Sequence, residues 1–555
     1  MRKFTVFILI AATLLASVAG CTKYKNGQNK LTYDEAITEL NALMKKVELS
    51  TVSSPVLDVY SDDLTEADAL SDISVFPLTT KGTGQIDIEI AADTELSDEN
   101  APDDWGNVVA AKFNREGFTV NGKSVSVSIR KITGGEVVTY MRAGAYQPDL
   151  YIPSHAAWGK MLDASGIRTI TMTERLLGNT AGILINNKVY DDFIAKYGEA
   201  NMKTVIEATL AGDLNFAYTN PYTSSTGLNM LTMILKAFDE TNPLSQTASD
   251  KLLEYQRQSP PVAYTTAVLR NKAAKGIIDA MVMEEQAYIL TKALSNYIYI
   301  PEGIRHDHPV FTFEYVSEEK REAAQLFIDY CMRNENQQLG TEKGFNRHNE
   351  YASQEPGLDG NGYLEAQALW KKNKNGGIPT VAVFVADTSG SMSGTPISEL
   401  KSSLIASSAY ISSDSYIGLV SYSDDVVKHL DIKPFDDKQR AYFSGEVKAL
   451  RASGSTATYD AVLSGLQMIA EAKKSIPECR PILFVLTDGD QNVGWSLSRV
   501  KPVVDGMDVP VYTIAYNYRN TGELDELSSI NEAVCIKADS DNIVNELRNL
   551  FNVES

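Results

Sequence analysis

Apolar positions along this chain fall into three successive patterns. Between residues 31 and 49 they sit at Leu31, Ala36, Ile37, Leu40, Leu43 and Met44, the period of one amphipathic helix. From Ile86 onward, short apolar runs alternate with helical stretches. Strands are predicted at 86–92, 125–132 and 149–153, a helix at 105–116, and further short strands at 183–186, 215–217 and 280–283. Strands spaced by helices predict a parallel α/β sheet. Residues 317–334 form an amphipathic helix, with Ala323, Ala324, Phe327, Ile328 and Cys331 on one side. From Thr380 the runs become almost continuously apolar, at 380–386 and 482–487, as suits central parallel strands buried on both faces. A strand pair at 416–422 and 427–432 is predicted on one side of these, and strands at 509–515 and 533–537 on the other. Helical segments fall between them at 396–411, 459–472, 496–505 and 540–551.

Breakers divide the chain. An acidic, Ser/Thr-rich stretch with Asp58, Asp62, Asp63, Glu66, Asp68 and Asp72 runs into the TTKGTG turn at 79–84. A cluster of Lys, Asn and Gly at 371–377 has no apolar period and marks a second boundary. The predicted organisation is a leader (1–20), a tether and lead-in (21–83), a first domain (84–355), a linker (356–376) and a C-terminal domain (377–555).

Composition narrows the function classes. With 51 basic and 72 acidic side chains in 555 residues, the formal charge of −21 repels phosphate backbones, so nucleic acid is excluded as a general partner. Hydrophobic residues at 43% and charged residues at 22% predict folded domains rather than a disordered chain. Four cysteines cannot build a disulfide scaffold. Cys479 and Cys535 share one predicted domain, and whether they bridge depends on how their strands neighbour.

Arg2 and Lys3 precede an apolar run that is short for a membrane span and ends in Val18-Ala19-Gly20-Cys21. That ending resembles a bacterial lipobox. The resemblance implies cleavage before Cys21, lipidation of its sulfur, and a protein held on the extracytoplasmic face of the cell membrane by its lipid alone. Cleavage also removes the two positive charges of the leader.

The 105–116 helix followed by the 125–132 strand resembles the opening of bacterial extracellular solute-binding proteins of the two-lobed type II class. So does the segment 318–347, EEKREAAQLFIDYCMRNENQQLGTEKGFNR. The resemblance implies two lobes with a small solute between them. Candidate cleft residues follow strand ends: Thr94, Ser154, the run Thr223, Ser224 and Ser225 before a helix starting near Leu228, and Glu284. Hydroxyls at that helix start serve equally as an anion cradle or as a helix cap. Carboxylates at Glu284 and Glu285 disfavour an anion there unless they point away. Trp158 reads as core, and His306 and His308, lacking a third ligand, as surface loop.

The C-terminal domain carries the clearest chemistry. The 380–386 strand delivers Asp387-Thr388-Ser389-Gly390-Ser391, Gly454-Ser455-Thr456 precedes a helix, and the 482–487 strand runs into Asp488-Gly489. Together these resemble a von Willebrand factor A (VWA) domain with its metal-ion-dependent adhesion site. The fold class implied for the whole is α/β, a two-lobed binding-protein-like domain followed by a doubly wound, Rossmann-like VWA domain. The resemblance implies a divalent metal, Mg²⁺ before Ca²⁺ or Mn²⁺. Ser389, Ser391 and Thr456 would offer hydroxyl oxygens, and Asp387 and Asp488 would add charge largely through water. It also implies a protein partner that brings an Asp or Glu to the metal.

His-Glu-x-x-His is absent, and no histidine lies near Ser389 or Ser391 in sequence. The expectation is therefore a binding protein, not an enzyme. The alternative is a substrate-binding lipoprotein receptor of an ABC-type transport system.

Overall fold

The computed structural model describes residues 30–58, 70–258, 262–263, 269–270, 273, 278–518, 520–531, 533–539 and 543–554. Cys21, the leader before it, and Asp62, Asp63, Glu66 and Asp68 lie outside the described residues. Among the described residues no helix is long and apolar enough to cross a membrane.

Within the predicted tether and lead-in, residues 31–58 pack on the C-terminal domain. The lead-in helix Tyr33–Met44 starts on a reciprocal cap, in which the Thr32 hydroxyl accepts the Glu35 amide and the Glu35 carboxylate accepts the Thr32 amide. Ala36, Leu40 and Leu43 then bury one face among Val500, Val503, Val504 and Met507 of the C-terminal domain. The next strand, β1 (Leu49–Thr51), pairs parallel with a strand of that domain, Leu49 opposite Val426. Beyond it, the Asp58 carboxylate accepts the Ser444 hydroxyl at 2.6 Å and Lys448 at 2.5 Å. The apolar stripe of this helix needs cover, and the C-terminal domain supplies it.

The first domain has two lobes. Lobe 1 contains β2 (Leu78–Thr80), β3 (Ile86–Ala92), β4 (Thr119–Val120), β5 (Lys123–Lys131), β6 (Leu150–Ile152) and β7 (Thr169–Thr173). Lobe 2 contains β8 (Thr180–Asn186), β9 (Phe216–Thr219), β10 (Val262–Ala263), β11 (Ala280–Glu284) and β12 (Tyr297–Arg305), after which β13 (Val310–Phe313) returns to lobe 1. The sheet orders are β2-β5-β3-β6-β13-β7, with β4 beside β5, and β10-β9-β11-β8-β12. Both sheets are mixed rather than parallel. The chain crosses between lobes after β7 and recrosses after β12, so β13 and β8 lie antiparallel to their neighbours. The two crossings touch: the Leu176 amide donates to the Asp307 carbonyl and the His306 amide to the Asn179 carbonyl.

The predicted linker is largely a helix, Gly360–Asn373, capped by Asp359. Tyr363, Ala366 and Trp370 recur at helical spacing and are fully buried. Tyr363 packs with Trp158 and Met161 of lobe 1. The Trp370 indole donates to the Tyr218 hydroxyl of lobe 2 at 2.8 Å, and Gln367 donates to the Pro221 carbonyl at 2.8 Å. One helix therefore staples both lobes.

The C-terminal sheet contains β14 (Thr380–Asp387), β15 (Tyr416–Tyr422), β16 (Val426–Pro434), β17 (Arg480–Thr487), β18 (Val511–Tyr516) and β19 (Cys535–Ala538). Its order is β1-β16-β15-β14-β17-β18-β19, with β14 central and parallel to β15 and β17, and helices on both faces. Cys479 and Cys535 are both free. Cys535 lies opposite Thr513, which faces Val485, so the two cysteines are two strands and six residues apart.

Candidate functional site

Strand β14 is buried along its whole length and places Asp387 at its carboxyl end, where open α/β sheets keep their ligands. Asp387 is fully buried and rigidly held. One carboxylate oxygen accepts the Ser389 amide at 2.7 Å and the other the Thr487 hydroxyl at 2.6 Å. The turn brings the Ser389 and Ser391 hydroxyls within 3.0 Å of each other, and Ser391 donates to Asp488 at 2.7 Å. Burial raises both Asp387 and Asp488 above the ordinary carboxylate range.

The third loop is fastened by its backbone. The Gly390 amide donates to the Gly454 carbonyl at 2.9 Å, and the Ser453 amide to the Thr388 carbonyl at 2.8 Å. Thr456 is held by Asn492, whose side chain accepts the Thr456 amide at 2.8 Å. Gly454 has φ +82°, and a Cβ there would meet the Asp424 carboxylate at 2.2 Å, so a glycine is required. The predicted quintet thus comes from three loops tied to one another. Neutral hydroxyls set beside carboxylates are the donor set a hard divalent cation takes, and they fit the metal that the motif implies. Among the described residues no three His, Cys, Asp or Glu side chains form a metal cluster. Loops 388–395, 423–426 and 488–496 carry Asp424, Asp425, Asp488 and Asp490 and no Lys or Arg, while the 450–457 loop carries Arg451, which donates to the Lys448, Ala449 and Leu450 carbonyls.

His429 belongs to a different cluster. Its Nε2 lies 2.8 Å from the Ser421 hydroxyl and its Nδ1 2.6 Å from Glu446, a serine–histidine–carboxylate relay that the sequence did not reveal. Ser421 lies inside β15, only 4% exposed, and the second Glu446 oxygen accepts the Val56 amide at 2.5 Å. The trio fastens the lead-in.

The predicted cleft residues separate. Thr94 is exposed and turned away, because its neighbours Asp93 and Glu95 take the inward positions. Ser224 caps the helix Ser225–Phe238, and Thr223 sits in a cavity of about 320 Å³ with Tyr222, Lys371 and Tyr410. Ser225 closes the lobes on each other. It receives the Trp158 indole N–H at 2.8 Å and donates to Asp93 at 3.2 Å, while its carbonyl lies 3.2 Å from His155 Nε2. Ser154 donates to Asp93 at 2.7 Å and is also bonded to Glu95. Glu284 is buried against Thr226 and His306. Trp158 is core, fully buried.

His306 and His308 are not a surface loop; both are 0% exposed. Arg305 and Asp307 pair with each other, and the histidines alternate with them to face inward. Burial, and then the neighbouring Glu95, push the Asp93 carboxyl up to about 7. Burial, and then His306, drive His155 down to about 3, so His155 is neutral.

Residues 107–346 match the bacterial extracellular solute-binding protein family, and residues 382–551 match the von Willebrand factor type A domain. The chain is 30% identical over 176 residues to bovine (Bos taurus) inter-alpha-trypsin inhibitor heavy chain H3, a match covering 30% of this chain and 20% of that protein. Iron-bound HitA from Pseudomonas aeruginosa is 15% identical and aligns with 53% of this chain and 100% of its own, TM-score 0.38. The von Willebrand factor type A protein from Catenulispora acidiphila is 16% identical and aligns with 32% of this chain and 42% of its own, TM-score 0.29. The chain therefore carries a solute-binding domain followed by a C-terminal VWA domain.

Proposed function

We propose that this protein is a cell-envelope lipoprotein, anchored through Cys21, whose VWA domain recognises a protein partner through a divalent metal. The observation that carries this reading is the convergence of Ser389, Ser391 and Asp488 on a turn fixed by the buried Asp387. Ser389, Ser391 and Thr456 would hold the metal, most readily Mg²⁺, with Asp387 and Asp488 acting through water. The bound ion supplies an electrophilic centre that a partner's Asp or Glu completes. Asp387 orients the serine turn, and Thr487 orients Asp387 in turn. If Asp387 and Asp488 acted through water, the bound ion would keep a need for an anionic ligand. The likeness to inter-alpha-trypsin inhibitor heavy chain H3 supports protein recognition.

The test is capture of a partner from cell-envelope extract by residues 22–555, with Mg²⁺ or with EDTA, alongside Asp387→Ala. Binding that needs both metal and Asp387 is expected; binding indifferent to both overturns the reading. The alternative, a receptor delivering solute to an ABC-type transporter, draws on the match over 107–346. Tight uptake of a small molecule by Asp387→Ala protein, with no metal-dependent partner, would favour it.

A further inference from the structure

Thr456 reaches the metal position from a loop that does not stand by itself. The amides on either side of it are held by the β15–β16 turn: Ser455 donates to the Asp424 carboxylate at 3.0 Å, and Ala457 to the Ser423 carbonyl at 3.0 Å. Its own backbone is held by the loop that follows β17. There the Asn492 side chain accepts the Thr456 amide at 2.8 Å, and the Asn492 amide donates to the Thr456 carbonyl at 3.0 Å. The place of the Thr456 hydroxyl is therefore inherited from two neighbouring loops, 423–426 and 488–496.

Both loops rest on the lead-in. The Val426 amide, at the end of the first, donates to the Glu48 carbonyl at 2.9 Å. Trp495, near the end of the second, lies under the Lys46 ammonium, 5.4 Å from the ring centre. It packs on the same apolar core as Met44 and Val47. Its amide donates at 2.7 Å to Asp460, in the helix that follows Thr456. Arg499, in the first turn of the helix Leu497–Met507 after this loop, is ion-paired with Glu39. None of these contacts reaches a predicted metal donor directly, yet both routes end at Thr456.

We propose that the lead-in is a working part of the metal site: Lys46 and the Glu48 carbonyl brace the two loops that position Thr456, and so set how tightly the divalent ion is held. The brace rests on the metal-dependent reading given above. A hard ion such as Mg²⁺ asks for near-ideal octahedral geometry, so a drifting donor costs it more than it costs Ca²⁺, which accepts a flexible shell. The brace also joins attachment to recognition. The segment nearest the proposed lipid anchor is the one that steadies the grip on a partner, so a lead-in pulled or cut free would leave a weaker site behind it.

The test is a double-mutant cycle in residues 22–555. Mg²⁺ and Ca²⁺ are the probes, read by calorimetric titration, and hydrogen exchange at the Thr456 amide is followed without metal. Lys46→Glu should weaken Mg²⁺ binding about threefold, the worth of an exposed cation over an indole. Trp495→Ala should weaken it about tenfold, as loss of an outer support does. The two together should be no weaker than Trp495→Ala alone, because Lys46 acts through Trp495. Ca²⁺ affinity should fall less in each, and the Thr456 amide should exchange faster. Lys46→Arg keeps a cation over the ring and should match the parent. Leu550→Ala, a core change on the opposite face of the sheet, should lower stability and leave Mg²⁺ affinity unchanged. Parental Mg²⁺ affinity and parental Thr456 exchange in Trp495→Ala overturn the brace, and so do losses that simply add. A parent protein that takes up no divalent ion overturns the metal reading instead, and exchange at Thr456 then still decides whether the lead-in holds its loop.

Discussion

Arg548, on the C-terminal helix, is ion-paired with Glu136 of lobe 1, and the two side chains are only 3% and 4% exposed. Arg548 also lies over the rings of Tyr140 and Tyr410. Breaking a buried pair from one side leaves an uncompensated charge, at a cost of about 3–5 kcal/mol, whereas replacing both members with apolar groups is often neutral. Glu136→Ala should therefore lower the stability of the full chain by that amount, and Glu136→Leu with Arg548→Met should recover most of it. Urea denaturation of the parent and the two variants measures this, and equal losses in the single and double variants would contradict it.

Thr487 would act on the proposed metal site at one remove, through its 2.6 Å bond to Asp387. Removing an outer partner of a ligand typically costs 10–100-fold in metal affinity. Thr487→Val should weaken Mg²⁺ binding by about tenfold without unfolding the domain, as read by calorimetric titration.

Leu40 in the lead-in is 1% exposed within the core of the VWA domain. Leu40→Ala should cost about 2–5 kcal/mol, the usual range for a buried leucine. The loss should appear in the unfolding transition of the C-terminal domain, although Leu40 lies far from it in sequence.

Asp103 supplies a pH signature. Burial is the leading cause that pushes its carboxyl up to about 6. The unfolded carboxyl ionises near 3.9, so between about pH 4 and 6 the folded state holds a proton that the unfolded state has lost. The contribution to stability therefore falls as pH rises through this window and levels off above it. Asp103→Asn should be about 2 kcal/mol more stable than the parent at pH 7 and indistinguishable from it at pH 4. Urea midpoints at the two pH values check the sign.

Gly135 lies where lobe 1 meets lobe 2. A Cβ on it would come within 1.8 Å of the Tyr222 carbonyl and 2.7 Å of Thr223 Cα. Backbone cannot give way as a flexible side chain would, so Gly135→Ala should prise the seam apart. An increased radius of gyration by small-angle scattering, with faster proteolysis near 222, is the expected outcome.

The loops carrying Asp387 and Asp488 were legible because each follows a strand so apolar that its burial and its end are unmistakable. The lead-in was not, because Leu49, Ser50 and Thr51 are all exposed and three residues show no period. Trp370 and Tyr363 did carry a helical signal. It was masked by the glycines and asparagines around them, which read as a linker. His306 and His308 were misplaced because the alternation about Asp307 fits an exposed loop as well as a strand end. Only the pairing of Arg305 with Asp307 shows which residues face out.

The pairing of Leu49 with Val426 has a temporal meaning. The Leu49–Thr51 strand finds its partner only when a segment about 380 residues later has been made. Until then the lead-in's apolar helix stripe has no permanent home, while the two lobes between can already collapse on their own cores. Such long-range closure is slow and leaves sticky surface exposed in the meantime. A protein built this way carries that exposed stripe until its last domain is made, and loss of either the lead-in or the C-terminal strands should disable the same domain.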